Sequence, residues 1–413
     1  MSPSRSLKFV YQRVIRVCLV IGIGVGLILA VLWVGYPRKT DHITYGVTWS
    51  APYAEGLGIS SREGLNAVLD DLGIRYFRIP VYWSLVERQP GVYDWKELNQ
   101  QLDAIEARQG KVILAVGQKV PRWPECWMPD WVKTMSSEER EQAVQVFLEA
   151  TLRTTAHRPS VHAYQVENEP LFPFGDCPNI SFAQVKREMT FVRLLDRALG
   201  FTHDIYTTDS GEFAPWLGFS RLIDGLGVSV YRSTRDVYFG VRKYHFIPPW
   251  YYAHKAWLIR LWEPNVYISE FQMEPWVNGA MKETPLEQQF ESFDLRQLTD
   301  NGWTAEHAGF KNIYLWGAEW WYWMKTQKEH PEFWGDTTSS VGIKYLTGVY
   351  GQRKTIFVMF NAGEWFCSLT SAPARRAFRP CSTTPRTGSR STTTTTRACS
   401  TTARPTARAR RSR

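Results

Sequence analysis

The sequence predicts an α/β fold: a closed (β/α)8 barrel preceded by one transmembrane helix and followed by a low-complexity tail. Three observations predict it. Eight short apolar, β-rich runs alternate with longer amphipathic stretches between residues 43 and 325. A run of about 20 residues, 17–36, carries no charge and matches the thickness of a bilayer core. From Ser371 onward the chain is almost entirely Ser, Thr, Arg, Pro and Ala.

The eight runs lie at 43–50, 76–83, 112–116, 161–166, 205–208, 226–231, 266–268 and 313–316. Helical periodicity falls at 61–72, 95–108, 138–157, 182–199 and 285–298. Alternation on this scale suits a parallel barrel, which typically takes about 250 residues. An open doubly wound sheet would also alternate. It would normally place a Gly-rich phosphate turn after its first strand, and Ser50-Ala51-Pro52-Tyr53 is nothing like that turn. The barrel domain is expected over 41–366, although 335–366 lacks a strong helical period and points to an incomplete or displaced last helix.

The net charge of +9 divides unevenly. Six basic residues (Arg5, Lys8, Arg13, Arg16, Arg38 and Lys39) and no acid occupy the first 40 positions, and eleven Arg and no acid occupy 371–413. The middle of the chain therefore holds 32 Lys and Arg against all 40 acids. That acidic balance excludes a nucleic-acid groove, which needs clustered positive charge on the folded surface. A cleaved signal peptide would have a shorter apolar run and a small-x-small site. Neither is evident, so 17–36 is expected to be an uncleaved signal anchor. Four basic residues precede it, which makes 1–16 a cytoplasmic segment and puts the barrel outside the cell membrane on a single-pass anchor. The 371–413 tail has too little apolar surface to fold and is expected to be disordered. A Ser/Thr/Pro stalk, a basic membrane-contacting tail and an out-of-frame reading of the gene all fit its composition.

Of the six cysteines, Cys18 falls in the apolar run and Cys367, Cys381 and Cys399 lie in or near the tail. Cys126 and Cys177 each follow a predicted strand by a few residues. A disulfide between neighbouring loops and two separate thiols are both open. His157 and His162 lack Cys partners and HExxH is absent, so no metal site is expected. No organic cofactor is expected either.

In a parallel barrel the reactive groups sit where strands end, because side chains there converge on one mouth. The fourth run leads into Glu167-Asn168-Glu169-Pro170 and the seventh into Ser269-Glu270-Phe271-Gln272. Cleaving a glycosidic bond takes two carboxyl groups flanking it, about 5–5.5 Å apart when configuration is retained. Strands four and seven face one another across a barrel mouth, so Glu169 and Glu270 are the candidate pair.

These two motifs, about a hundred residues apart, resemble clan A of the glycoside hydrolases, as do Phe77-Arg78-Ile79-Pro80, Tyr231 and Trp316 at other strand ends. The likeness covers roughly 43–325 and is greatest to cellulase-like and β-galactosidase-like bacterial members. It implies that Glu169 is the acid/base and Glu270 the nucleophile. It further implies that Arg78 orients the nucleophile, Asn168 holds a sugar 2-hydroxyl, Tyr231 contacts Glu270, and Trp316 floors the subsite beside the cleaved bond.

Plainer roles compete. Glu167 points to the opposite face if its strand continues, which suits a structural role. Glu274 rivals Glu270, with sugar binding or loop capping as its alternatives. Glu319 either binds substrate from the eighth loop or forms a buried ion pair. The loop 118–131 carries Trp123, Trp127 and Trp131 with Arg122 and reads as a sugar-lined wall or as a loop anchor; Trp83 and Trp49 share that ambiguity. Trp83, Trp123 and Glu319 are taken as substrate-binding. The expected function is retaining hydrolysis of a β-linked oligo- or polysaccharide. A transglycosylase using the same residues and a non-catalytic, membrane-tethered glycan-binding barrel are the alternatives.

Overall fold

The computed structural model describes residues 3–335 other than Ser220, Val237 and Pro264. The expectations for 336–366, for the 371–413 tail and for Cys367, Cys381 and Cys399 lie outside the described residues.

Eight parallel strands close into a barrel: β1 (Thr44–Thr48), β2 (Tyr76–Pro80), β3 (Lys111–Val116), β4 (Val161–Val166), β5 (Asp204–Ser210), β6 (Gly225–Val230), β7 (Val266–Gln272) and β8 (Asn312–Trp316). Each pairs with its sequence neighbour, and β8 closes on β1 with Thr44 opposite Asn312 and Thr48 opposite Trp316. Every expected run is a strand. The helices Ser61–Asp70, Lys96–Glu106, Ser137–Thr155 and Phe182–Ala198 fall within two residues of expectation. Three of them start on a serine cap, Ser60, Ser136 and Ser181, whose side chain accepts from a backbone N–H of the first turn.

The expected helix over 285–298 is two helices, Leu286–Ser292 and Leu295–His307. Phe293 between them is extended and fully buried against Trp320, and Asp294 caps the second helix by accepting from Gln297 N at 2.7 Å. Apolar periodicity runs through the break because both sides of it face the core. Helices Ala51–Leu57, Trp250–Ile259 and Ala318–Gln327 were not legible. The last buries Glu319, Trp320, Trp321 and Trp323, so it has no polar stripe to mark its period. Between β5 and β6 there is a loop instead of a helix, and a hairpin of Ser233–Asp236 and Gly240–Lys243 follows β6.

The lower barrel interior is filled by Ile113, Ala163, Tyr206, Tyr267 and Tyr314. Gly46 makes room there: a Cβ on it would stand 2.7 Å from the Tyr314 ring and from a backbone carbonyl. In β7 the pairing with both neighbours shifts by one residue across Ser269-Glu270, between Ile268 and the next paired position. This bulge keeps Ile268 and Phe271 in the outer core while Glu270 turns to the barrel mouth.

An apolar helix runs over Pro3–Trp33, and its segment Phe9–Trp33 has mean hydropathy 2.7 and is long enough to be a membrane span or a signal sequence. It starts earlier than 17 and ends three residues before 36. Its end meets the barrel where Trp33 Nε1 donates to Phe246 O and Trp250 Nε1 donates to Trp33 O.

Candidate active site

The upper layer of the barrel is polar, and one guanidinium organises it. Arg78, fully buried on β2, donates from Nη1 to Glu270 Oε1 at 2.7 Å, from Nη2 to Asn168 Oδ1 at 2.6 Å and from Nε to Gln165 Oε1 at 2.7 Å. One planar fork thus ties β2, β4 and β7 together. Glu270 takes a second bond on its other oxygen from Tyr231 OH at 2.8 Å. Its carboxylate is held by a cation and a phenol, which fixes its orientation.

Glu169 has different surroundings. Its Oε1 accepts from Ser229 Oγ at 2.5 Å, its backbone N–H donates to Thr208 Oγ1 at 2.8 Å, and its φ of +42° turns the chain sharply at the strand end. Ser229 is the residue on β6 directly opposite Glu270 on β7, so the Glu169 carboxyl is tied to the strand that flanks Glu270. Among the described residues, no hydrogen bond reaches Glu169 Oε2. Burial and then the charge of Glu270 push the Glu169 carboxyl up to about 8. Lys119 Nζ donates to the backbone carbonyls of Glu169 and Phe172, bracing the loop.

Glu167 turns away from this centre. Its oxygens accept from the backbone N–H groups of Gln118 at 2.9 Å and Lys119 at 2.7 Å, and it lies so close to Gly117 (φ +129°) that a Cβ there would be 2.2 Å from Oε1. The carboxylate pins the β3 loop from behind.

Above the centre is a cleft of about 720 Å³, lined by Tyr53, Trp123, Trp127, Phe174, Tyr231, Trp276 and Trp316 with Arg122, Glu125 and Glu274. Trp123 stands 63% exposed on the rim, edge-on to Phe174. Trp276 meets Tyr231 edge-on with centroids 5.2 Å apart. Arg122 lies over the rings of Tyr53 (3.8 Å) and Trp316 (4.0 Å) and pairs with Glu274 and with Glu319 at 2.8 Å.

Two expectations need correcting. Trp83 does not reach the cleft: it is fully buried, stacked on Phe147 with centroids 5.2 Å apart, and its Nε1 donates to Glu87 Oε2 at 2.6 Å. Glu319 has the ion-pair role and not contact with substrate, being fully buried with its oxygens taken by Arg122 and by Ser50 N at 2.6 Å. Of the residues left ambiguous, Trp49 is also core, while Trp131 sits partly buried against Trp83 and donates to Glu87 O. Arg78, Asn168, Tyr231, Glu169 and Glu270 are brought together, with Trp316 and Trp123 on the cleft above.

Several residues of the site had no sequence signal: Tyr53, Phe174 and Trp276 on the cleft, Ser229 beside Glu169 and, most relevant, Glu125. This carboxyl accepts from Asn168 Nδ2 at 2.8 Å, and burial followed by the charge of Glu270 pushes it up to about 7. Its neighbour Cys126 is disulfide-bonded to Cys177, with Cα atoms 5.0 Å apart, so the β3 and β4 loops are joined across the cleft wall. The two cysteines were the one available clue that the loops meet. Among the described residues no group of His, Cys, Asp and Glu could hold a metal ion.

The fold is a closed parallel eight-stranded barrel. No family model and no curated protein matches the sequence. Solved structures do. A β-galactosidase from the psychrophilic Marinomonas ef1 aligns at 16% identity and TM-score 0.45, over 66% of this chain and 54% of that one. The exo-β-1,4-mannosidase Op5Man5 from Opitutaceae bacterium strain TAV5 aligns at 17% identity and TM-score 0.46, over 68% and 53%. A GH5_18 protein from Streptomyces cattleya, in complex with GlcNAc, aligns at 14% identity and TM-score 0.45, over 68% and 71%. This chain thus spans about half the length of the first two.

Proposed function

We propose that the protein hydrolyses O-glycosidic bonds in a β-linked glycan with net retention, by double displacement on two glutamates. The observation that carries the reading is the unequal environment of the pair: Glu270 is clamped by Arg78 and Tyr231, while Glu169 keeps a free oxygen and a carboxyl pushed up to about 8. Unlike surroundings divide two carboxyls into a nucleophile and a proton donor. Glu169 gives its proton to the departing oxygen as Glu270 attacks the anomeric carbon and forms a glycosyl-enzyme. Glu169, now ionised, takes a proton from water, which displaces Glu270 and restores both groups. The aromatic walls of the cleft offer flat faces for sugar rings to stack on.

Aryl β-glycosides and β-glucans are the substrates to screen, with the product anomer followed by proton NMR in the first minutes. The β-anomer is expected first; initial appearance of the α-anomer would overturn the mechanism. Because the first step uses protonated Glu169, glycosylation is expected to fall as pH rises through about 8. A basic limb well below pH 6 would contradict that assignment.

We read the N-terminal helix as a signal anchor with the barrel outside the cell. The Cys126–Cys177 disulfide supports an oxidising compartment. The full chain is then expected to stay in the membrane pellet after alkaline carbonate washing, and release into the supernatant would exclude the anchor.

A further inference from the structure

We infer that Glu125 reads the substrate: with Asn168 it forms an acceptor–donor pair for a hydroxyl or amino group on the carbon next to the reacting one. The site would then select glycosides with a hydrogen-bond donor at C2. This rests on the glycosidase reading and narrows it.

The inference starts from what Asn168 has left to offer. Its Oδ1 already accepts from Arg78 Nη2 at 2.6 Å, Thr208 Oγ1 at 2.9 Å and Gln165 Nε2 at 3.3 Å. An amide oxygen has two lone pairs, so no capacity remains for a sugar proton. Of the two N–H groups on Nδ2, one is given to Glu125 Oε2 at 2.8 Å. The other can donate to a sugar oxygen. A hydroxyl that accepts it must still place its own proton, and leaving that proton unpaired in a desolvated site costs about 1–3 kcal/mol. Glu125 Oε1 is placed to take it: among the described residues it has no partner, it is not sealed, and the residue lines the cleft. Asn168 shares the Arg78 guanidinium with Glu270, which sets the pair beside the carbon that Glu270 attacks.

Glu125 is also held in place. Its N–H donates to Arg122 O at 2.7 Å, its carbonyl accepts from Val120 N at 2.9 Å, and the disulfide begins at the next residue. Gly175 crosses directly above it, where a Cβ would stand 2.5 Å from Glu125 Cβ. A rigidly seated carboxylate discriminates between ligands better than a mobile one.

The test pairs two enzymes with two substrates. The kcat/KM of wild type and Glu125→Ala is measured on an aryl β-glycoside and on its 2-deoxy counterpart, so that the intrinsic reactivity of the deoxy sugar cancels. A charged acceptor for a hydroxyl predicts a loss of roughly 10–100-fold on the parent and little on the deoxy substrate. Glu125→Gln, which keeps an acceptor oxygen, is expected to lose less. Equal losses on both substrates would reduce Glu125 to a support for Asn168 and overturn the proposal. If wild type turns over no glycoside, the enzymatic reading fails by itself. Calorimetry with a hydroxylated piperidine and the analogue lacking the hydroxyl next to the reacting-carbon position then decides. Preference for the hydroxylated compound that vanishes in Glu125→Ala supports the pairing; equal binding, or none, overturns it.

Discussion

Glu270→Gln is expected to lower kcat/KM on an aryl β-glycoside by ~10⁴-fold or more, with the fold retained. The amide cannot form a glycosyl-enzyme, yet its oxygen can still accept from Arg78 while its NH2 donates to the Tyr231 hydroxyl, at the two positions where the carboxylate accepts at 2.7 and 2.8 Å. Glu169→Gln is expected to behave differently. An activated phenol leaves without protonation, so glycosylation suffers little, while hydrolysis of the intermediate loses its base and slows by about 10²–10⁴-fold. Azide needs no deprotonation to attack, so it should restore turnover of Glu169→Gln with a β-glycosyl azide as product. It should do nothing for Glu270→Gln. Wild-type rates in both variants, or the rescue pattern reversed, would remove or exchange the two roles.

Arg78→Ala is expected to cost about 3–5 kcal/mol of stability, because it leaves Glu270 buried without its cation and strips Asn168 and Gln165 of a donor. A domain of this size would show a fall of roughly 5–10 °C in Tm. Arg78→Lys should recover little, since a point ammonium cannot bond in three directions from a rigid plane. The double variant Arg78→Ala/Glu270→Gln should regain part of the lost stability, because the uncompensated charge is then gone. A Tm for Arg78→Ala within a degree or so of wild type would contradict the central place given to this residue.

The barrel was legible because its strands are buried on both faces and read as continuous apolar runs, interrupted by amphipathic helices with serine caps. Where that contrast fades, so does legibility: helix Ala318–Gln327 is packed on most of its surface, and Phe293 breaks a helix without breaking the apolar period. Glu169 and Glu270 could be named because parallel barrels gather reactive groups at strand ends. Trp83 could not be placed by the same rule. It too follows a strand, but what an indole meets depends on Phe147 and Trp131, which arrive from elsewhere in the chain.

The sequence by itself determined the strand count, the apolar N-terminal helix, and which carboxylates stand at the ends of β4 and β7. Tertiary structure alone decided where those carboxylates point. The bulge at Ser269-Glu270 exists only relative to the strands on either side, and it turns Glu270 to the mouth. Glu125 gains its place from a loop joined by disulfide to another 51 positions away, and Asn168 its orientation from donors on β2, β4 and β5. The physical reason is range: periodicity and capping are set by neighbours within a few residues, whereas side-chain direction, burial and protonation are set by whatever distant segments pack alongside.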